Sequence, residues 1–327
     1  MKKLNLFALL TIILTFSINL FSQEEKPKEF SQVENTHQFG FTLKRANYSY
    51  TPSEYFESKD STFGNLRKSG KLKNNDQVTY PVSFLYFNKN LNLYTEASYY
   101  KVSYANMYNL VVGQYIPSLN LGINDLYFYD RVQNSITRRE SKVNFYTKTE
   151  LNSSNLIYYG LGIRNLYKEN FRQGNLFYSD DFLDSTNSYG LQVFLKYQVE
   201  LASFVKLSIS AEPFYTVGSR VRSKNHYINQ NGSYNFSLYA IGQKNYYYGA
   251  DLDFNFSFSL NENLHLLIGY NYIYTKIRHE KNRNYRLFVE NGQPNFTSLL
   301  SQEVWNQPSN ESKDHIFGYY IGLNAKF

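Results

Sequence analysis

The chain has 327 residues, 42% of them apolar, with a formal charge of +7 and no cysteine. That length allows one large domain or two ordinary ones, and the absence of cysteine excludes disulfides and an acylated lipobox cysteine. The charge is too mild to point to nucleic acid, while 33 Tyr and 26 Phe are far more aromatic residues than a soluble domain of this hydropathy needs.

At the N-terminus, Lys2 and Lys3 precede an apolar stretch over 4–21 that ends in "NLFSQEE". A basic start, an apolar core and a small residue before a polar stretch describe a secretory signal peptide, with cleavage expected after Ser22. Asn5, Thr11, Ser17 and Asn19 interrupt the stretch, which argues against a retained anchor. Removing the two lysines leaves a charge of +5 (7 − 2). After residue 22 no apolar run approaches the roughly 18 residues of a spanning helix, so a membrane crossing must be made with strands.

Strand-like alternation then recurs along the whole chain. Apolar residues fall at every second position in Phe39, Phe41 and Leu43; in Val78 to Tyr86, broken by Pro81; and in Leu91 to Tyr99 after "NKN". Pro81 cannot donate to a ladder, so a bulge or local edge is expected there. A weaker pair covers about 107–117 and 119–131. Val143 to Leu151 and Ile157 to Ile163 flank "NSSN", and Tyr189 to Val199 is answered by Val205 to Tyr215. Around "NEN" the pattern is longest, with Leu252 to Leu260 on one side and Leu264 to Tyr274 on the other. Pairing across that turn sets Phe254 against Tyr270 and Leu252 against Tyr272. The last run is Phe317 to Phe327. The total is about twelve strands, with ten or fourteen as alternatives, and most reach the 9–11 residues that cross a bilayer.

Loop lengths alternate as strictly as the residues do. The turns "NKN", "NSSN", 201–203 and "NEN" are tiny, whereas the connections 51–76, 166–187, 217–245 and 278–314 are long. Short turns on one side and long loops on the other fit an antiparallel up-and-down transmembrane β-barrel. The C-terminal "GYYIGLNAKF" resembles the β-signal of bacterial outer-membrane barrels, with Tyr320, Gly322, Ala325 and Phe327 in its characteristic places. The resemblance is to that barrel class, over residues 36–327, and reaches no particular functional family. It implies an outer-membrane location, a short periplasmic tail at 23–35, the barrel-assembly machinery as a partner of the C-terminal strand, and contact with outer-membrane lipid and lipopolysaccharide-type glycolipid.

The alternate face gives the expected interior: Lys44, Glu96, Lys148, Glu150, Arg164, Lys196, Glu200, Lys206, Glu212, Asp251, Asp253, His265 and Lys326. Six are basic and six acidic, with His265 left aside. Balanced signs argue against a strongly selective pore. They leave two readings open: a small porin-like channel for polar or ionic solutes, or a filled lumen in a barrel that binds or adheres through its loops. Lys196, Glu212, Asp251 and Asp253 are the expected constriction or ion cluster, with Lys148, Glu150 and Arg164 as further lumen candidates. The stretch 217–245 reads as a basic extracellular loop carrying Arg220, Arg222, Lys224 and Lys244 and no acid.

Enzymatic signals are weak. A membrane hydrolase needs a Ser–His pair with a third group orienting the His, and only His265 falls on the inner face of a strand. His279 beside Glu280 is the one hint of a rim site, and "RHEKN" reads more simply as a solvated loop. No metal-ligand spacing, phosphate loop or nucleotide motif is present, so no cofactor and no nucleic-acid partner are expected.

Overall fold

The computed structural model describes residues 38–53, 76–111, 130–172, 178–228, 234–280, 285–290 and 312–327. The expected signal peptide and tail, and Trp305 in the expected long loop, lie outside them. The strands are β1 (Gln38–Thr51), β2 (Asp76–Thr79), β3 (Val82–Asn88), β4 (Leu93–Val111), β5 (Asp130–Asn152), β6 (Asn155–Arg172), β7 (Tyr178–Ala202), β8 (Val205–Ile228), β9 (Tyr234–Ser259), β10 (Leu264–His279), β11 (Tyr285–Glu290) and β12 (Ser312–Lys326).

These twelve strands make ten barrel staves. Every neighbouring pair is antiparallel, and the sheet closes on itself because β10 pairs with both β9 and β12, and β12 with β1. β2 extends the β3 stave outward, both lying along β1, and the chain breaks between them at Tyr80 and Pro81. The Pro81 carbonyl still accepts from Lys44 N at 2.9 Å, so the proline costs a donor and not the contact. In the same way β11 prolongs the β10 stave along β9. Of the weak pair expected over 107–117 and 119–131, residues 112–129 lie outside the described residues; Leu110 and Val111 pair directly with Arg131 and Asp130 as the ends of β4 and β5.

Closure leaves no open sheet edge for hydrocarbon to meet. At the seam the two ends of the barrel chain meet, with Phe327 N donating to Phe39 O at 2.8 Å and Phe39 N to Phe327 O at 3.1 Å. A ladder row from Gly40 runs through Leu85, Glu96, Asn144, Gly162, Gln192, Phe214, Gly249 and Thr275 to Asp314. Asp314 lies one position beyond the Thr51–His315 pair, so the row returns to β1 at residue 52, twelve residues above Gly40 (52 − 40). Ten staves with that stagger tilt by about 40° and enclose a backbone radius of about 10 Å.

The two faces sort as the alternation requires. Phe39, Phe84, Leu161, Leu191, Leu195, Ile268, Tyr319 and Leu323 point outward and are exposed. Phe254 pairs with Tyr270 and Leu252 with Tyr272, as expected from the sequence. Tyrosines gather at the outer end of this belt, Tyr272 and Tyr274 on β10 lying just below the ladder rows of Tyr248 and Tyr246 on β9.

Strands β7, β8 and β9, of 25, 24 and 26 residues, run far past the span of a bilayer. The stretches 166–187 and 217–245 are therefore mostly ladder, a correction to the loops expected there. Outside hydrocarbon both faces of a strand are wetted, so the apolar alternation fades while backbone pairing continues.

The inner face holds more apolar material than a polar lumen would. Towards the short turns, Phe87, Tyr94, Tyr146 and Phe194 stack in sequence, with ring centroids 4.4, 5.3 and 4.3 Å apart, and Tyr158 meets two of them edge-on. Gly160 sits between Tyr146 and Phe194 in the ladder, and a Cβ there would lie 2.0 Å from Phe145 O and 2.6 Å from Tyr146 Cα. A side chain at 160 cannot coexist with that stack. Gly160→Val should lower stability by about 1–3 kcal/mol, read as a shifted denaturant midpoint of the refolded barrel; an unchanged midpoint would show that the stack does not need the space.

Candidate functional site

Above the aromatic layer, long charged side chains fill the lumen. β5 contributes Arg138, Glu140 and Lys142 at alternate inward positions; β6 contributes Arg164 and Lys168; β8, β9 and β12 contribute Glu212, Asp251 and Asp314. Four cations thus meet four carboxylates. The side chains of Arg138, Glu140, Arg164 and Asp314 are 0% exposed.

Asp314 ties the outer end. It accepts from Arg138 Nη1 at 3.1 Å and from Lys168 Nζ at 2.9 Å, and Ser53 N donates to its Oδ1 at 2.7 Å. Arg138 also holds Glu140 through Nε at 2.7 Å and Thr275 Oγ1 through Nη2 at 2.8 Å. Lower down, Glu212 Oε2 and Asp251 Oδ2 share two cations. Lys142 Nζ donates to them at 2.7 and 2.9 Å, and Arg164 Nη2 at 3.1 and 3.3 Å. Arg164 links the two halves, because its Nη1 lies 3.0 Å from Glu140 Oε2, an ion pair without hydrogen-bond alignment. Its guanidinium also lies 4.0 Å over the Phe214 ring, and its Nε donates to Gln192 at 2.7 Å.

Several of these bonds cross the barrel. Going round the ten staves, β5 and β10 stand five apart, as do β6 and β12, which is diametrically opposite. Arg138 to Thr275 and Lys168 to Asp314 therefore run straight across the lumen. Apolar clusters pack on both flanks. Tyr48, Tyr50, Tyr100, Val102, Ile136, Ile273 and Ile316 form one, and Leu166, Phe214, Tyr247 and Ile277 the other. A water-filled passage at this height would leave these groups wetted, and they are buried.

Of the expected constriction, Glu212 and Asp251 belong to the network and Arg164 is its hub. Asp253 lies beside it on β9, accepting from Lys44 Nζ at 3.2 Å and from Tyr320 OH at 2.8 Å. Lys196 is not joined to Glu212; it lies one step nearer the short turns, opposite Ser210, its amine 5.2 Å over the Tyr158 ring. Lys148 and Glu150 are 3.8 Å apart at the mouth that carries the short turns, where Glu150 is exposed. Arg138, Glu140, Lys142, Lys168 and Asp314 were missed. Extending the strand alternation outward from Asn144, Arg164 and Ile316 by steps of two would have found all five.

The basic loop is also corrected. Arg220 is buried on the inner face of β8 and paired with Asp184 of β7, while Lys244 is exposed on β9. Arg222 and Lys224 lie in β8, and their side chains fall outside the described residues. His279 Nδ1 lies 2.8 Å from Asn245 Oδ1 and 3.3 Å from Arg220, inside the ladder and not in a solvated loop. Ser259 Oγ and His265 Nδ1 are 3.1 Å apart, but His265 Nε2 has no hydrogen-bond partner among the described residues, so no third group orients the imidazole. Among those residues no set of three or more His, Asp or Glu converges to hold a metal ion.

In the β-signal, Tyr320 and Gly322 face inward. Gly269, opposite Tyr320, leaves space that the ring uses: a Cβ there would meet its Cζ at 2.5 Å. Ala325 and Phe327 stand on the outer face at the seam.

Residues 35–327 match the family described as "Predicted outer membrane protein, Leptospiraceae". No curated protein matches the chain. Among solved structures it is similar to the outer membrane protease OmpT from Escherichia coli, at 9% identity and a TM-score of 0.46, covering 92% of this chain and 99% of that one. It is also similar to a major outer membrane protein from Thermus thermophilus, at 10% identity and a TM-score of 0.33 over 89% and 99%. The Pseudomonas putida toluene transporter TodX follows at 7% and 0.31 over 90% and 91%.

Proposed function

Since this chain belongs to the family of predicted outer membrane proteins of Leptospiraceae, we propose that it is a closed outer-membrane barrel, a rigid scaffold whose work is done at the cell surface. The protein sits in the outer membrane as an all-β antiparallel barrel. The observation that supports a closed lumen is the bonding between opposite staves, Lys168 to Asp314 and Arg138 to Thr275. Ions buried together are held in place only while their partners stay within reach, because separating them exposes charge to a low dielectric. Conducting a solute would require breaking at least these contacts, which weighs against the small porin-like channel that the polar inner face suggests.

The surface role is supported by the height of the wall. Strands β7 to β9 carry the ladder well beyond the bilayer, and their inner face there is itself cross-linked by Arg220 and Asp184. Such a wall holds its outermost residues in fixed register, which suits a contact surface. Among the described residues His265 pairs with Ser259 without a third group to orient its ring, which favours a binding or scaffold role over a hydrolytic one. The test is liposome swelling with the refolded protein. Vesicles should show no uptake of small sugars or amino acids above protein-free controls, and uptake that falls with solute size would favour the channel.

A further inference from the structure

The lipid-facing surface is not evenly charged. On three adjacent staves, outward positions at the upper edge of the tyrosine girdle carry Lys244 (β9), Lys276 and Arg278 (β10) and Lys313 (β12). Lys276 pairs in the ladder with both Tyr248 and Lys313, and Arg278 pairs with Tyr246. Lys244, Arg278 and Lys313 are exposed, and the Lys276 amine lies 5.8 Å from the Tyr248 ring centre. The nearest described acid on this face, Glu280, accepts from the backbone N–H of Lys244 at 3.3 Å. At matching heights on β7 and β8 the outward residues Asn187, Tyr189, Val217 and Ser219 are uncharged.

The height of the patch decides what it meets. Twelve residues separate Leu264, at the periplasmic end of β10, from Lys276 (276 − 264). A strand tilted by about 40° rises about 2.5 Å per residue along the barrel axis, so Lys276 stands about 30 Å up, just past an apolar band about 25 Å tall. That is headgroup level in the outer leaflet. Side chains there face lipid and not the lumen, with Tyr272 and Tyr274 beneath, and Tyr248 and Tyr246 alongside on β9, to lie against sugar and upper acyl carbons. Long cationic side chains with apolar stems can cover such a surface while their heads reach phosphate oxygens.

We infer that Lys244, Lys276, Arg278 and Lys313 form a binding site for a phosphorylated glycolipid of the outer leaflet, seated on the outer wall of β9, β10 and β12. The cations take its phosphate groups and the tyrosines its sugar. The ligand is annular and specific, distinct from anything carried in the lumen.

The test uses the full refolded barrel in detergent micelles and native mass spectrometry. Bisphosphorylated lipid A should stay bound, whereas the same saccharolipid stripped of its phosphates should bind at least about tenfold more weakly. Replacing Lys244, Lys276, Arg278 and Lys313 together by Ser should bring the phosphorylated form down to that level, while the control Lys101→Ser/Arg139→Ser, an exposed ladder pair on β4 and β5 away from the patch, leaves it unchanged. If the fourfold variant does not assemble, Arg278→Glu alone should weaken retention of the phosphorylated form. Equal retention of the two lipids by the native protein would overturn the site. So would undiminished binding by whichever of these two variants assembles, or displacement of the lipid by inorganic phosphate, which would indicate a site for the free anion.

Discussion

Asp314→Ala should cost the folded barrel about 3–5 kcal/mol, the range seen when one partner of a buried ion pair is removed. Its carboxylate is 0% exposed and takes Arg138 and Lys168 from opposite sides of the lumen, along with Ser53 N. Without it four cations face three carboxylates, and Lys168 loses its ion pair with Asp314 while its Nζ still donates to Ser53 Oγ at 2.7 Å. The measurement is the denaturant midpoint of protein refolded into lipid vesicles. Adding Lys168→Met to the Asp314→Ala variant restores the charge balance and should recover a large part of the loss. If the single substitution cost no more than an exposed ion pair, about 0–1 kcal/mol, the cross-lumen bonding would be carrying little of the stability.

Tyr146→Ala is expected to be comparably damaging, at about 3–5 kcal/mol, because it removes a buried ring from the middle of a stack. Tyr146 lies between Tyr94 and Phe194, meets Tyr158 edge-on, and donates its hydroxyl to Glu96 at 3.1 Å. This variant separates stability from closure. The ion network lies above the aromatic layer and is bonded independently, so Tyr146→Ala should unfold earlier yet remain impermeable. Unfolding at lower denaturant together with new conductance would mean that the rings are the seal and the network is secondary.

Much of the barrel can be read before any coordinates. The "NEN" turn fixes Phe254 opposite Tyr270 by counting alone, and Leu260 N does bond Leu264 O across it at 2.9 Å. Such counting works because hydrocarbon tolerates only apolar side chains on one face, so each strand within it advertises its register. Beyond the bilayer that constraint lapses. Residues 137–142, "TRRESK", are polar on both faces, with Arg139 and Ser141 outward and Arg138, Glu140 and Lys142 inward. No alternation marks this part of β5, yet it holds three of the eight network charges.

The pairing of the network was hidden for a different reason. Glu212 and Asp251 are ladder neighbours, so their proximity follows from register. Lys142 and Arg164 reach them from β5 and β6, and Asp314 meets Lys168 from the opposite stave. Contacts across a lumen depend on stave number and stagger, and twelve staves would have placed different residues face to face. The apolar inner residues went unread because a lumen facing water should be polar; Ile136, Ile273 and Ile316 are inward because this one is packed like a core.

The closed lumen is tested most directly by single-channel recording of the refolded native protein in a planar bilayer, in concentrated salt and at both voltage signs. With Lys168 bound to Asp314 and Arg138 to Thr275 across the barrel, insertion should produce no conductance steps above the bare bilayer. Reproducible unit steps of either polarity from the correctly folded barrel would contradict it.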